Sequence, residues 1–175
     1  MLLIAHFLES VLQLRALFRA VLENLSRISL RHAVESKKLS TAAKPRLMEA
    51  QYQDKFYRAF YGVADMGVPL CSEWSRSGGG RVDFYIPQKQ WAIELLRDED
   101  RITDHVTRSH WGEKYFPWSK EKRVVDWIII NCTSSPPTRE YSEPDLWTAV
   151  FTNDFSDPQV YDYQVLSLFS IALHN

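Results

Sequence analysis

Asp83 and Glu94 are the residues of this chain whose type and spacing point most directly to chemistry. Arg81-Val82-Asp83-Phe84-Tyr85-Ile86 reads as a strand, Pro87-Gln88-Lys89-Gln90 as a turn, and Trp91-Ala92-Ile93-Glu94-Leu95-Leu96-Arg97 as the returning strand. A four-residue turn pairs Ile86 with Trp91, and the same register sets Asp83 opposite Glu94 on one face of the hairpin. Like charges directly across two strands repel, and an acid flanked by Ile93 and Leu95 is poorly solvated. A divalent cation between the two carboxylates turns that liability into a site. Mg2+ takes one or two carboxylates and completes its shell with waters and substrate oxygens, and Mn2+ suits the same donors. The Leu95 carbonyl is a further candidate ligand, and Glu49, on a preceding helix, a third acid acting through a water. The competing reading is an ion pair in which Arg81 or Arg97 neutralises Glu94 with no metal.

The elements that must position these acids follow from periodicity. Residues 2–34 carry apolar side chains at helical spacing and predict one long amphipathic helix, or two, packed on a neighbour. Residues 36–45 read as a connector ending in proline. A helix is expected from Leu47 to Tyr61 with Gly62 as its stop, its stripe formed by Glu49, Gln53, Phe56 and Phe60. Val68–Trp74 is an expected strand with a bend at Pro69. Ser75–Gly80 is a turn; its three glycines lack the Lys-Ser/Thr that a phosphate loop needs. A helix from Asp98 to about His110 follows the hairpin. The run Val124–Cys132 has the apolar continuity of a strand covered on both faces. Leu146–Thr152, Gln159–Tyr163 and Leu166–Leu173 predict three further strands in an antiparallel meander.

The 175 residues suit one domain, with 45% hydrophobic and 25% charged residues. Six Trp, eight Tyr and nine Phe supply a sizeable core. Cys71 and Cys132 make neither a metal-ligand pattern nor a disulfide framework, so a reducing compartment is expected, cytoplasmic or nuclear. The apolar N-terminus lacks a basic leader. Glu9, Arg15, Arg19 and Glu23 interrupt the roughly 20 apolar residues that a membrane span requires. The net charge of −1 hides a gradient: residues 1–62 carry ten Lys/Arg against five Asp/Glu, and residues 124–175 one against seven. A polyanion is therefore favoured by the first half of the chain.

Over residues 47–132 the order helix, strand, hairpin, helix, strand resembles the core of the PD-(D/E)xK nuclease superfamily. More narrowly, Arg81–Ile86 and Trp91–Asp98 resemble a nuclease-like domain abundant in fungi that accompanies Crinkler-type effectors and transposon-derived proteins. Glu49-Ala50-Gln51-Tyr52-Gln53-Asp54-Lys55-Phe56-Tyr57-Arg58 and His105-Val106-Thr107-Arg108 fit the same resemblance. It implies a restriction-endonuclease-like α/β domain over residues 46–175, preceded by a helical extension and connector over residues 1–45 and completed by C-terminal antiparallel strands. It also implies a Mg2+-dependent nuclease acting on DNA or RNA, with Asp83 and Glu94 as metal ligands and Glu49 at the superfamily's helical acid.

The departure is at Leu96, where that motif expects lysine. Register places Arg81 opposite Leu96, so its guanidinium is the favoured substitute, with Lys114 and Lys120 of the later loop as others that can reach in. The guanidinium stays protonated and can clamp phosphate but not act as a base. Arg97, His105, Arg108, Lys114 and Lys120 are the expected nucleic-acid contacts. His105 and Arg108 can alternatively bridge to the acids of 98–104. Trp111, Tyr115, Phe116 and Trp118 can stack on bases or cover a core edge. Two further readings stand beside the enzyme: an inactive nuclease-like module that binds nucleic acid or a protein, and a plain structural domain. A homodimer is compatible with all three.

Overall fold

The computed structural model describes residues 13–35, 49–64, 67–75, 80–97, 102–109, 118, 120, 121, 123–143, 145–152, 155, 158–163 and 167–173. Among the described residues the first elements are the helices α1 (Leu14–Glu23), α2 (Arg27–Glu35) and α3 (Glu49–Ala64). Then follow β1 (Cys71–Ser75), β2 (Arg81–Ile86), β3 (Trp91–Arg97), α4 (Ile102–Ser109), β4 (Asp126–Thr133), β5 (Leu146–Val150), β6 (Gln159–Asp162) and β7 (Ser167–Ser170). The seven strands form one mixed sheet in chain order. Its outer pairs are antiparallel, while β3–β4 and β4–β5 are parallel.

The hairpin register expected from sequence is present, with Ile86 paired to Trp91, Tyr85 to Ala92 and Phe84 to Ile93. Gln90 closes the turn at φ 56°, and the Lys89 N–H donates to the Ile86 carbonyl at 3.2 Å. The expected antiparallel meander is present in β5, β6 and β7, and it joins the sheet through a parallel β4–β5 pair. A parallel pair needs a crossover of about a dozen residues, and the chain between Thr133 and Leu146 supplies it. Tyr141 on that crossover is buried beside α4.

Both faces of the sheet are covered. On the first, Ile93 and Leu95 of β3, Ile128 and Ile130 of β4 and Trp147 and Ala149 of β5 pack against Leu17, Phe18, Val21 and Leu22 of α1 and Phe56 and Phe60 of α3. Phe18 stacks on Phe56 at 5.3 Å and meets Trp147 edge-on at 5.9 Å. The described part of the stretch read as an N-terminal extension thus contributes core residues, and it does so as two helices, one of the two forms expected. The chain turns at Asn24 and Leu25, and the Ser26 hydroxyl caps α2 by accepting from the Ser29 N–H at 3.2 Å. On the second face, Val82, Tyr85, Ala92, Trp118 and Val124 form one cluster. Leu96, Ile102, Val106, Ile129, Tyr141 and Leu146 form another under α4.

Gly62 does not stop its helix; α3 runs on to Ala64. A Cβ at Gly62 would lie 2.1 Å from Asn24 Nδ2, and that amide donates to the Ala59 carbonyl at 3.0 Å. Glycine here gives the α1–α2 turn room to bond α3. Gly62→Ala gains about 1 kcal/mol of helix propensity but displaces the Asn24 amide. It is therefore expected to stabilise the Asn24→Ala background more than the wild type, by about 1 kcal/mol of coupling in a urea-unfolding cycle.

The first strand turns of β4 and β5 are tied to α1. Asp145 accepts from Arg15 Nη2 and from Trp127 Nε1, both at 2.6 Å. Beside it, Asp126 Oδ1 accepts from the Trp127 N–H at 2.9 Å. Burial pushes the Asp126 carboxyl above its usual 3.8, helped by Asp145 and opposed by the Trp127 N–H and Arg15. Above 3.8 the folded chain keeps a proton that the unfolded chain has released, so stability falls as pH rises through the raised value. Asp126→Asn keeps the acceptor and removes the charge. Thermal melts are expected to show a higher midpoint at neutral pH and a flatter profile through the mildly acidic range; a lower midpoint counts against this account.

Candidate active site

Glu94 lies in the middle of β3, between Ala92 and Leu96 on the second face of the sheet. Every residue from Trp91 to Leu96 is buried, and Glu94 is only 7% exposed. Such a carboxylate needs polar company. Helix α4 brings one source across: Ile102 and Val106 pack on Leu96, and His105 presents its Nδ1 3.6 Å from Glu94 Oε2.

Asp83 approaches from the other side. Its half-buried carboxylate accepts from the Leu95 N–H at 2.8 Å, a charge-assisted bond. That N–H belongs to the peptide joining Glu94 to Leu95, so the acid of β2 is seated against the backbone of the acid on β3. Local geometry prepares the approach. Regular strands alternate faces, yet Val82 and Tyr85 share one cluster, and Cys71 and Trp74 of β1 pack against the same cluster. The slip centres on Asp83 and on Glu73, which faces it in the β1–β2 register and holds φ at 54°. A left-handed non-glycine residue costs on the order of 1 kcal/mol or more, and such strain clusters at functional sites.

Arg81 does not occupy the place expected of it. Its guanidinium is exposed and ion-paired with Glu73 across the β1–β2 edge. The β2–β3 pairs run from Ile86–Trp91 to Phe84–Ile93, and the slip at Asp83 breaks the alternation that put Arg81 on the face of Glu94. Leu96 explains why no lysine stands there: it is 2% exposed among Ile102, Val106, Ile129, Tyr141 and Leu146.

The remaining candidates scatter. Arg97, half-buried at the end of β3, falls by alternation on the face of Leu95, away from Glu94. Lys120 is exposed. Trp118 is a core-edge residue, edge-on to Trp74 at 4.9 Å. His105 meets Glu94; of the acids of 98–104, Asp98, Glu99 and Asp100 lie outside the described residues. The side chains of Glu49 and Arg108, and all of Lys114, lie outside the described residues, as do Trp111, Tyr115 and Phe116. The Glu94–His105 pairing was missed from sequence; the signal for it was Ile102 and Val106 flanking His105 on the helix face that must cover β3.

The site offers two hard oxygen donors on adjacent strands, a set that suits Mg2+ or Mn2+ rather than a thiophilic metal. Among the described residues no three His, Cys, Asp or Glu side chains are grouped to hold one ion; the side chain of Glu49 lies outside them. No helix among the described residues is long and apolar enough to cross a membrane. No protein-family model, curated protein or solved structure matches the chain.

Placing a lysine at Leu96 tests the packing. Leu96→Lys buries an ammonium in an apolar cluster and is expected to lower unfolding free energy by about 3 kcal/mol or more. Urea unfolding measures it, and an unchanged midpoint means that the cluster has room for the longer side chain.

Proposed function

We propose that this chain is a metal-dependent nuclease-like domain of the PD-(D/E)xK type, holding Mg2+ or Mn2+ through Asp83 and Glu94 against a phosphodiester of DNA or RNA. The observation that carries this reading is the seating of the Asp83 carboxylate on the Glu94–Leu95 peptide, 2.8 Å from the Leu95 nitrogen. Element order supports it. Helix α3 covers one face, β1, β2 and β3 follow as an antiparallel set, α4 covers the other face, and β4 returns parallel to β3. That is the order for which the sequence resembles the superfamily core.

A bound divalent ion supplies Lewis acidity toward the phosphate and a more acidic water. The protein's own contribution is more limited. Asp83 and Glu94 provide two negative charges that retain the ion, and the apolar wall of Ala92, Leu96 and Ile129 restricts water around them. Hydrolysis joins a water oxygen to phosphorus and releases the sugar oxygen, which leaves with a proton. No lysine or arginine among the described residues is seen beside Glu94 to offset the negative charge that builds up on the phosphate.

A second reading has a specific observation in its favour: a domain that holds the ion and nucleic acid without cutting. Leu96 is committed to the core and Arg81 to Glu73, so the motif position and its favoured substitute are both spent elsewhere.

One experiment separates the two. Mn2+ and Mg2+ are titrated by calorimetry into wild type and Asp83→Asn, and both are incubated with plasmid, single-stranded DNA and RNA. The enzyme reading expects cation binding and cleavage by wild type, each lost or reduced at least about tenfold in the variant. Binding and nucleic-acid retention without cleavage support the second reading. No cation binding by wild type overturns both.

A further inference from the structure

His105 is the described side chain that meets Glu94 from outside the sheet. Its ring is 17% exposed, and Nδ1 lies 3.6 Å from a carboxylate whose side chain is 9% exposed. Nδ1 is buried and makes no hydrogen bond to any described residue. A separation of 3.6 Å exceeds a hydrogen bond, but a small rotation of either side chain closes it. The position is imposed by packing: Ile102, three residues before His105, and Val106, one residue after it, are buried in one cluster with Leu96, Ile129 and Leu146. The imidazole therefore cannot swing far from Glu94 without unpacking α4.

We propose that His105 is a positioning residue for Glu94, a role that rests on the reading of Asp83 and Glu94 as a cation site. The imidazole donates its Nδ1–H to Glu94 Oε2, which leaves Oε1 to face the ion. Fixing the carboxylate in this way does two things. It limits the rotation of the Glu94 carboxylate, and it gives Oε2 a donor that the ion does not displace. The rigid fixing that the motif lysine cannot offer at Leu96 comes instead from the helix above. His105 transfers no proton in this scheme and need not touch the substrate.

The test is Mn2+ calorimetry on the full chain as wild type, His105→Ala, His105→Asn and Asp83→Asn, with thermal melts of each. His105→Ala is expected to weaken Mn2+ at least about tenfold, as loss of such an outer partner does. His105→Asn, whose amide nitrogen sits near the place of Nδ1, is expected to recover most of that affinity. The recovery must appear with melting midpoints of the two His105 variants alike, which separates positioning from folding. Equal affinity in wild type and His105→Ala overturns the proposal while leaving the cation site standing, provided Asp83→Asn is impaired. Equal loss in both His105 variants also overturns it. Absence of Mn2+ binding by wild type overturns the cation reading, and the proposal with it.

Discussion

A carboxylate in the middle of a strand that is buried on both faces is the constraint to which this molecule answers. β3 pairs with β2 on one edge and β4 on the other, and both of its faces are roofed. Six consecutive residues, Trp91 to Leu96, are out of solvent. Five of them are apolar and stabilise the fold by burial, on the order of 1.5–3 kcal/mol for each large side chain. Glu94 does the opposite unless something meets its charge. Asp83, bonded to the adjoining peptide, and His105, leaning over from α4, are the groups around which the local strain and the helix packing are arranged.

The roofing explains why the two helical layers differ. The first face is built from large aromatics, with Phe18, Phe56 and Phe84 in continuous contact, and it holds α1 and α3 as one core. The second is divided into two smaller clusters, one below β1 and one below α4. Glu94 stands between residues assigned to each of them. A polar group at such a seam interrupts less apolar contact than it would on the first face.

Much of this was legible in the chain. The hairpin could be read to the residue because β-branched and aromatic runs bracket a Pro-Gln-Lys-Gln turn, and turn length sets register. β4 was legible from its unbroken apolar run, Trp127 to Ile130. Three features were not legible, each because a tertiary contact decided it. Gly62 looked like a helix stop because glycine usually is one; its reason is Asn24, 38 positions earlier in the chain. The parallel β4–β5 pair was not foreseen because the proline-containing loop gives no local sign of direction, and Tyr141 on it is buried in the cluster under α4. Arg81 looked like a lysine substitute because strand alternation was assumed to hold through Asp83, and the left-handed Glu73 opposite shows that it does not.

The two parallel pairs at the centre of an otherwise antiparallel sheet bear on how the chain assembles. β2–β3 and β5–β6–β7 close over short loops, while β3–β4 and β4–β5 close only after α4 and the Thr133–Leu146 crossover are in place. Loop closure is costly before long-range contacts repay it. The two antiparallel units can therefore form early, and β4 joins them last, as the strand that completes both. The candidate site lies along that late seam: Glu94 is in register with Ile129 of β4, and the helix carrying His105 belongs to the crossover that delivers β4. Completion of the central sheet and the placing of α4 over Glu94 thus depend on the same crossover.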